Sequence, residues 1–156
     1  MADYDTAQIC LNRHVITSSI EENPPDQIYC SECGAKTITE CPKCHAKLRG
    51  FCRDSDFITY VKATAYCYHC GEPYPWTESA LESAKLIVQE AEGFSSKEKA
   101  ALAETLPDII SETAKTNLAI ARTQKFLKAV GGFSADMLRQ FVIDFGCELA
   151  KKQIGI

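Results

Sequence analysis

Residues 29–44 read YCSECGAKTITECPKC, and this stretch decides the fold of the first half of the chain. It contains two Cys-x-x-Cys pairs, Cys30 with Cys33 and Cys41 with Cys44. Such a pair supplies two thiolates from one tight turn, and Zn²⁺ in proteins is held by four ligands of this kind in a tetrahedron. The stretch therefore predicts two metal-binding knuckles, a knuckle being a tight turn that carries two ligands.

Two further ligand pairs flank this stretch. Cys67 and Cys70 form a third Cys-x-x-Cys pair, and Cys10 with His14 forms a looser Cys-x-x-x-His pair. Four pairs complete two four-ligand sites, so we predict two Zn²⁺ ions as the cofactors. The predicted metal ligands are Cys10, His14, Cys30, Cys33, Cys41, Cys44, Cys67 and Cys70.

The spacing leaves two pairings of the knuckles open. We favour pairing in chain order, because the segments between paired knuckles are then long enough for a hairpin, as in a zinc ribbon. This places the first four ligands, Cys10 to Cys33, on one ion and the last four, Cys41 to Cys70, on the other. The rival pairing joins Cys30, Cys33, Cys41 and Cys44. It leaves Cys10, His14, Cys67 and Cys70, or Cys52 with some of these, for the second ion.

The sequence carries no recognisable catalytic motif. A zinc ion with four protein ligands has no open position for water, which favours a structural role. A Gly-rich phosphate loop, a His-Glu-x-x-His helix and a Gly-x-Ser-x-Gly elbow are all absent from the sequence. The His-x-Glu and Pro-Cys-x-x-Cys order of zinc deaminases is absent too. We therefore expect a protein that is not an enzyme.

Composition and charge restrict the partners. The chain is 46% hydrophobic and 24% charged, which is typical of globular proteins. Its formal net charge is −4, and two zinc sites with seven thiolates would bring it to about −7. Nucleic-acid binding depends on Lys and Arg that neutralise phosphates, so this balance disfavours it unless a local basic patch overrides the average.

The cysteines indicate a reducing compartment. Eight of the nine lie between Cys10 and Cys70, where metal ligation is a better explanation than an odd-numbered disulfide framework. Asp3 and Asp5 stand where a signal peptide would have lysines, and no stretch approaches the ~18 apolar residues of a membrane span. We expect a cytoplasmic protein with no membrane partner.

The sequence changes character near Trp76, from cysteines, aromatics and β-branched residues to Ala, Leu, Glu and Lys at helical spacing. We predict an α+β protein, with a double zinc ribbon at residues 1–76 and a compact helical domain at residues 77–156. The expected strands are Val15–Ile20, Ala35–Thr39 and Ile58–Ala65.

About four helices are expected in the second half. The first begins at Thr77 as an N-cap, with Trp76 stapled onto Leu81. Ser95 and Glu98 have capping-box spacing for the second helix, which Pro107 interrupts. The third covers about Thr116 to Val130. The fourth opens at Ser134 with Phe133 and Leu138 as a staple, and it includes Cys147 and Leu149 on its apolar side.

The knuckles and their flanks also resemble a known bacterial family. The matching stretches are Cys10-Leu-Asn-Arg-His14, residues 29–44, Leu48-Arg-Gly50 and residues 66–78, YCYHCGEPYPWTE. Together with Leu106-Pro-Asp-Ile-Ile-Ser111 they make the chain similar to the family called domain of unknown function 2321. The resemblance implies a zinc-ribbon-containing bacterial protein and brings no activity with it. Arg13 and His45 stand where this family usually has glycine.

Several residues near the ligands have simpler explanations than ligation. We expect Cys52 to be a small buried or exposed thiol, and Cys147 to lie in the core. His45 and His69 are expected to be solvated or to support the ligands, because cysteines already fill the second site.

The function that this pattern favours is that of a non-catalytic adaptor that binds an unidentified protein partner. One alternative is single-stranded nucleic-acid binding, because Lys43, Lys47, Arg49 and Arg53 lie among aromatic residues. These rings are Phe51, Phe57, Tyr60, Tyr66 and Tyr68. A weaker alternative is a rubredoxin-like iron electron carrier, which His14 and the two-site arrangement disfavour.

Overall fold

The computed structural model describes residues 2–57 and 60–156. The chain divides into two compact units, Met1–Thr77 and Glu78–Ile156. Short antiparallel strands occupy the first unit and helices fill the second, so the chain has the predicted α+β class. In the part of the chain that is described, no helix combines the length and the apolar character needed to cross a membrane.

The described residues of the first unit form two small sheets. Strand β2 lies at the centre of a three-stranded antiparallel sheet with the order β3-β2-β4, and β1 pairs with β5 in a separate antiparallel ribbon. The strands are β1 (Tyr4–Thr6), β2 (Gln8–Cys10), β3 (Val15–Thr17), β4 (Thr37–Ile38) and β5 (Arg49–Cys52). Strands β3 and β4 fall within the predicted segments, whereas β1, β2 and β5 were not predicted.

A close backbone approach at Gly50 connects the two sheets. The Phe51 N–H donates to the Ser18 carbonyl at 2.9 Å, and the Ala7 N–H donates to the Leu48 carbonyl at 2.9 Å. A Cβ atom at position 50 would lie 2.0 Å from the Ser18 oxygen. Since that neighbour is backbone, only glycine fits here.

The prediction of a strand at Ile58–Ala65 was wrong for residues 60–65. Ile58 and Thr59 lie outside the described residues, and residues 60–65 form no strand. The Thr64 carbonyl accepts a hydrogen bond from Trp76 Nε1 at 2.8 Å. The Ala65 carbonyl accepts from the Tyr74 N–H and from the Thr77 hydroxyl. These carbonyls therefore bind the segment at the start of the first helix instead of a neighbouring strand.

Six helical segments occur among residues 60–156, where about four helices were predicted. Pro107 separates α2 from a single turn, α3, and a break at Gly146 separates α5 from α6. The helices are α1 (Pro75–Glu90), α2 (Ser96–Thr105), α3 (Pro107–Ile110), α4 (Thr116–Ala129), α5 (Gly132–Phe145) and α6 (Glu148–Ile154).

Of three predicted helix starts, the structure confirms one and places the other two at earlier residues. Ser95 and Glu98 form the predicted capping box, in which Ser95 Oγ accepts from the Glu98 N–H at 3.2 Å and Glu98 Oε2 accepts from the Ser95 N–H at 3.0 Å. Helix α1 begins at Pro75, two residues before the predicted cap, because the Thr77 hydroxyl donates to Ala65. Helix α5 begins at Gly132, and Phe133 is 73% exposed instead of packing as a staple.

The core of the second unit is mainly aliphatic. Every helix contributes to it, and the larger buried side chains include Val88, Leu102, Leu106, Ile109, Ile120, Phe126, Leu138 and Val142. Among its described residues, the first unit buries far fewer aliphatic side chains, chiefly Ile9 and Leu48. The second unit therefore has a conventional hydrophobic core, whereas the first depends on other interactions.

Candidate metal centres

Three knuckles share one backbone hydrogen-bond pattern. The N–H of each first cysteine, Cys30, Cys41 or Cys67, donates to the carbonyl five residues later at 2.8–2.9 Å. The N–H four residues after that cysteine donates back to its carbonyl at 2.8–2.9 Å. An isolated β-bridge closes each turn: Tyr29 with Lys36, Glu40 with Lys47, and Tyr66 with Pro73. Each turn thus holds its two thiols on one side.

The fourth turn, at Cys10, is one residue shorter. The Cys10 N–H donates to the His14 carbonyl and the Arg13 N–H donates to the Cys10 carbonyl, both at 2.9 Å. In the other three turns the residue that follows the second cysteine has a positive φ angle. In this turn the residue with positive φ is Arg13, which precedes the second ligand. This explains why a histidine, with its longer side chain, can complete this pair.

All four turns need one residue with positive φ, and two of these residues are not glycine. The angles are 74° at Gly34, 76° at Gly71, 75° at Arg13 and 61° at His45. A side chain in this region costs roughly 1 kcal/mol relative to glycine. Arg13 and His45 are the two positions at which the resemblance implies glycine. Both turns nevertheless have the knuckle geometry without glycine there.

The knuckles bring the eight predicted ligands together as two groups of four. The ligand atoms in each group all lie within 4.8 Å of one another. The first cluster consists of Cys10, His14, Cys30 and Cys33, and the second consists of Cys41, Cys44, Cys67 and Cys70. This is the grouping of the chain-order pairing, and the rival grouping of Cys30, Cys33, Cys41 and Cys44 does not occur.

The distances between ligand atoms fit a tetrahedral metal site. Bonds of ~2.3 Å to sulfur and ~2.0 Å to nitrogen would place two sulfurs ~3.8 Å apart, and a sulfur and a nitrogen ~3.5 Å apart. The sulfurs of Cys10 and Cys33 are 3.7 Å apart, and those of Cys41 and Cys70 are 3.9 Å apart. His14 Nδ1 lies 3.5 Å from the Cys10 sulfur and 3.6 Å from the Cys30 sulfur. Either cluster can hold a metal ion without rearrangement.

His14 presents Nδ1 to the first cluster. Its Nε2 atom lies 3.7 Å from a carboxylate oxygen of Glu32, which is within the same knuckle as Cys30 and Cys33. A carboxylate near the second ring nitrogen favours a proton at Nε2 and leaves Nδ1 free to ligate. The pKa of His14 is raised, chiefly by hydrogen bonds to Cys33 and Cys30. A bound cation would replace the proton shared among these groups.

Backbone and side-chain donors surround the buried sulfurs. The His14 N–H donates to the Cys10 sulfur at 3.2 Å, and the His69 N–H donates to the Cys67 sulfur at 3.4 Å. The Tyr74 side chain also helps to lower the pKa of Cys67. The Tyr74 ring in turn stacks on Trp76, with centroids 4.7 Å apart. Sequence reasoning missed the role of Tyr74, for which the aromatic run after the third knuckle was the only signal.

The thiols of each cluster have opposing pKa shifts. The pKa of Cys67 falls to about 6 because desolvation, which raises it, is outweighed by hydrogen bonds from the backbone of Cys70 and His69. The pKa of Cys44 rises to about 12: the Ala46 amide lowers it, but desolvation and the other three thiols outweigh that donor. Several thiolates at this separation repel one another, so a cation is needed before all four can be deprotonated.

The remaining cysteines and histidines lie outside the two clusters. Cys52 is on β5 and half-buried, and Cys147 precedes α6 and is half-buried instead of being a core residue. The Cys147 N–H donates to the Ile109 carbonyl at 2.8 Å. His45 is exposed, with Nδ1 2.9 Å from Glu40 Oε1. His69 is exposed beside Tyr68.

An α+β chain with two four-ligand clusters held by knuckles has the architecture of the metal-binding ribbon proteins. Residues 3–154 match the model of a family described as "Uncharacterized protein conserved in bacteria (DUF2321)". The chain therefore belongs to this family, as its resemblance indicated. No curated protein matches the chain. No solved structure matches it either.

Proposed function

We propose that this protein is a non-catalytic zinc protein that acts as an adaptor between other proteins. The observation that carries the proposal is the completeness of each cluster, in which four protein atoms lie at the separations of a tetrahedral site. An ion with four protein ligands has no open position at which to activate water. The metal would then serve to fix the knuckles in space.

Zinc is the metal that these ligands favour. An all-cysteine tetrahedron suits either zinc or iron, but the first cluster contains His14, and a mixed site of three cysteines and one histidine is typical of zinc. Elemental analysis of the purified protein tests this choice. Two zinc equivalents and no visible absorption support zinc, whereas a red protein would indicate iron and electron transfer.

The adaptor role is supported by exposed side chains on the knuckle tips. Tyr29 is 63% exposed and Tyr68 is 50% exposed, and both lie at hydrogen-bonded knuckle turns. Rigid aromatic groups are favoured at protein interfaces because they bury a large area at a small entropic cost. Affinity purification from the native host, with metal content measured on the same sample, tests for a protein partner.

Single-stranded nucleic-acid binding is the second candidate. The Arg49 guanidinium lies over two aromatic rings, which favours it. Two other cations of the predicted basic surface are engaged, however, because Lys43 lies 3.3 Å from Glu72 and Arg53 pairs with Asp5. Salt-sensitive retention of the protein on an oligonucleotide column would support this function over the adaptor.

A further inference from the structure

We infer that Lys47 and Arg49 form a carboxylate-binding site that recognises an acidic segment of a protein partner. The site lies wholly within the first unit, where β1, β5 and the third knuckle meet. The inference rests on the proposed adaptor function and specifies the chemistry by which the partner would be bound.

Arg49 is held in place by two tyrosine rings. Its guanidinium carbon lies 3.8 Å from the centroid of the Tyr68 ring and 4.7 Å from the centroid of the Tyr4 ring. These contacts use the faces of the guanidinium and leave its N–H groups, which point outward in its plane, available. No hydrogen bond or ion pair of the guanidinium occurs among residues 2–57 and 60–156. A fixed fork of unused donors matches the two oxygens of a carboxylate.

Lys47 supplies a second available cation on the same face. Leu48 is 2% exposed and points inward, so the residues on either side of it, Lys47 and Arg49, point outward together. The Lys47 amine has no hydrogen-bonding or ion-pair partner in the described part of the chain. The Glu21 carboxylate interacts with the Lys47 amine electrostatically, without a hydrogen bond or an ion pair.

A cavity of about 240 Å³ lies against these two cations. Tyr4 and Tyr68 form its aromatic walls, and Leu48 forms its base. Asp5 also lines it, but this carboxylate is 4% exposed and pairs with Arg53, so its charge is offset. The cavity is large enough for one or two carboxylate side chains and apolar enough at its walls for their methylene groups.

Two available cations suit a short acidic peptide better than a nucleic acid. Each neutralised phosphate of a single strand contributes about −0.7 to the salt slope of binding, so two cations supply only a small electrostatic attraction. Lys43 and Arg53 are already paired, so a continuous track for a phosphate backbone is missing at this site. The formal charge of −4 would repel a polyanion more strongly than it repels a peptide with a few carboxylates.

The test measures binding of a fluorescein-labelled hexaglutamate peptide to the zinc-loaded full chain by fluorescence anisotropy. Arg49→Lys keeps the charge but removes the fork, and should weaken binding about tenfold. Lys47→Gln is the second variant, at an exposed position where folding is not at risk. Lys36→Gln, which removes an exposed charge outside the cavity, is the matched control and should change binding less than about twofold. Metal content is measured for every variant.

Three results would overturn the site. They are no binding of hexaglutamate by the wild-type protein at millimolar peptide, equal weakening by Lys36→Gln and Arg49→Lys, and tighter binding of an oligothymidylate through the same residues. The adaptor function has a separate readout in affinity purification. A partner retained equally by wild type and Arg49→Lys would refute this site alone, whereas peptide binding without any cellular protein partner would refute the adaptor function alone.

Discussion

The sulfur atoms of Cys44 and Cys67 lie 3.7 Å apart, although the residues are 23 positions apart in the chain. This separation is far beyond the ~2.05 Å of a disulfide and close to the edge of a zinc–thiolate tetrahedron. Of the first unit's residues that the structure describes, Ile9 and Leu48 are the chief buried aliphatic ones. Structural zinc supplies about 10–16 kcal/mol of apparent binding energy, which is comparable to the whole net stability of a domain. We therefore attribute the folding of this unit to the metal ions that its two clusters can hold.

Cys67→Ser should release one metal equivalent. The second cluster would keep three ligands, and a serine oxygen is a poor replacement for a thiolate. Elemental analysis should show one zinc instead of two, while circular dichroism at 222 nm stays nearly unchanged because the helices belong mainly to the second unit. Cys52→Ser is the matched control and should retain two zinc equivalents. A Cys67→Ser protein with two equivalents would refute the second site.

Tyr74→Phe should weaken zinc binding at the second cluster without changing the metal count at saturation. The substitution removes the hydroxyl that helps to lower the pKa of Cys67, and such supporting groups are worth about 10–100-fold in metal affinity. Competition with a zinc chelator measures the change. Tyr29→Phe, which removes an exposed hydroxyl beside the first knuckle, should leave the affinity unaltered. Equal affinities for wild type and Tyr74→Phe would mean that the Tyr74 hydroxyl has no effect on the metal.

Gly71→Ala and Gly50→Ala should destabilise the first unit to different extents. At Gly71 a Cβ meets nothing within 4 Å, so the cost is only that of positive φ, about 1 kcal/mol. At Gly50 the Cβ would collide with the Ser18 carbonyl, and the two sheets would have to separate. Urea titrations of the zinc-loaded variants, followed by Trp76 emission, measure both. A milder effect at Gly50 than at Gly71 would contradict the packing described.

Glu98→Gln should destabilise the second unit in a pH-dependent way. The pKa of Glu98 is lowered to about 2 by hydrogen bonds from Lys125 and from the backbone and side chain of Ser95. A depressed carboxyl pKa stabilises the fold above the unfolded value of 4.5, and this contribution is lost as pH falls toward 2. The difference in Tm between wild type and Glu98→Gln should therefore be clear at pH 7 and shrink below pH 4.5. Glu82→Gln, on the exposed face of α1, should show no such trend.

The metal clusters were the most predictable part of the chain. Ligand spacing along the sequence reports directly on local turn geometry, and Cys-x-x-Cys allows few conformations. Pairing in chain order, which spacing alone left open, is the grouping that the structure contains. The Ser95 and Glu98 capping box was equally accessible, because it involves residues only three positions apart.

The errors concern segments whose conformation depends on distant partners. The β-branched run at residues 58–65 indicated a strand, but its later carbonyls bind Trp76 and Thr77, which no local pattern reveals. Strands β1 and β5 are short, and they pair across more than 40 residues of sequence. The break before α6 was missed because Gly146 is packed against Val142 and the Cys147 N–H donates to Ile109, both contacts of the folded state.

Removal of the metal is the decisive experiment on what folds the first unit. The purified protein should contain two zinc equivalents, and exhaustive chelation should unfold the first unit while most helix signal at 222 nm remains. Trp76 reports on this unit because it is 3% exposed and stacks on Tyr74, which contacts the ligand Cys67. We expect chelation to shift Trp76 emission to the red and added zinc to reverse the shift. Unchanged emission from a protein shown to be free of metal would contradict it.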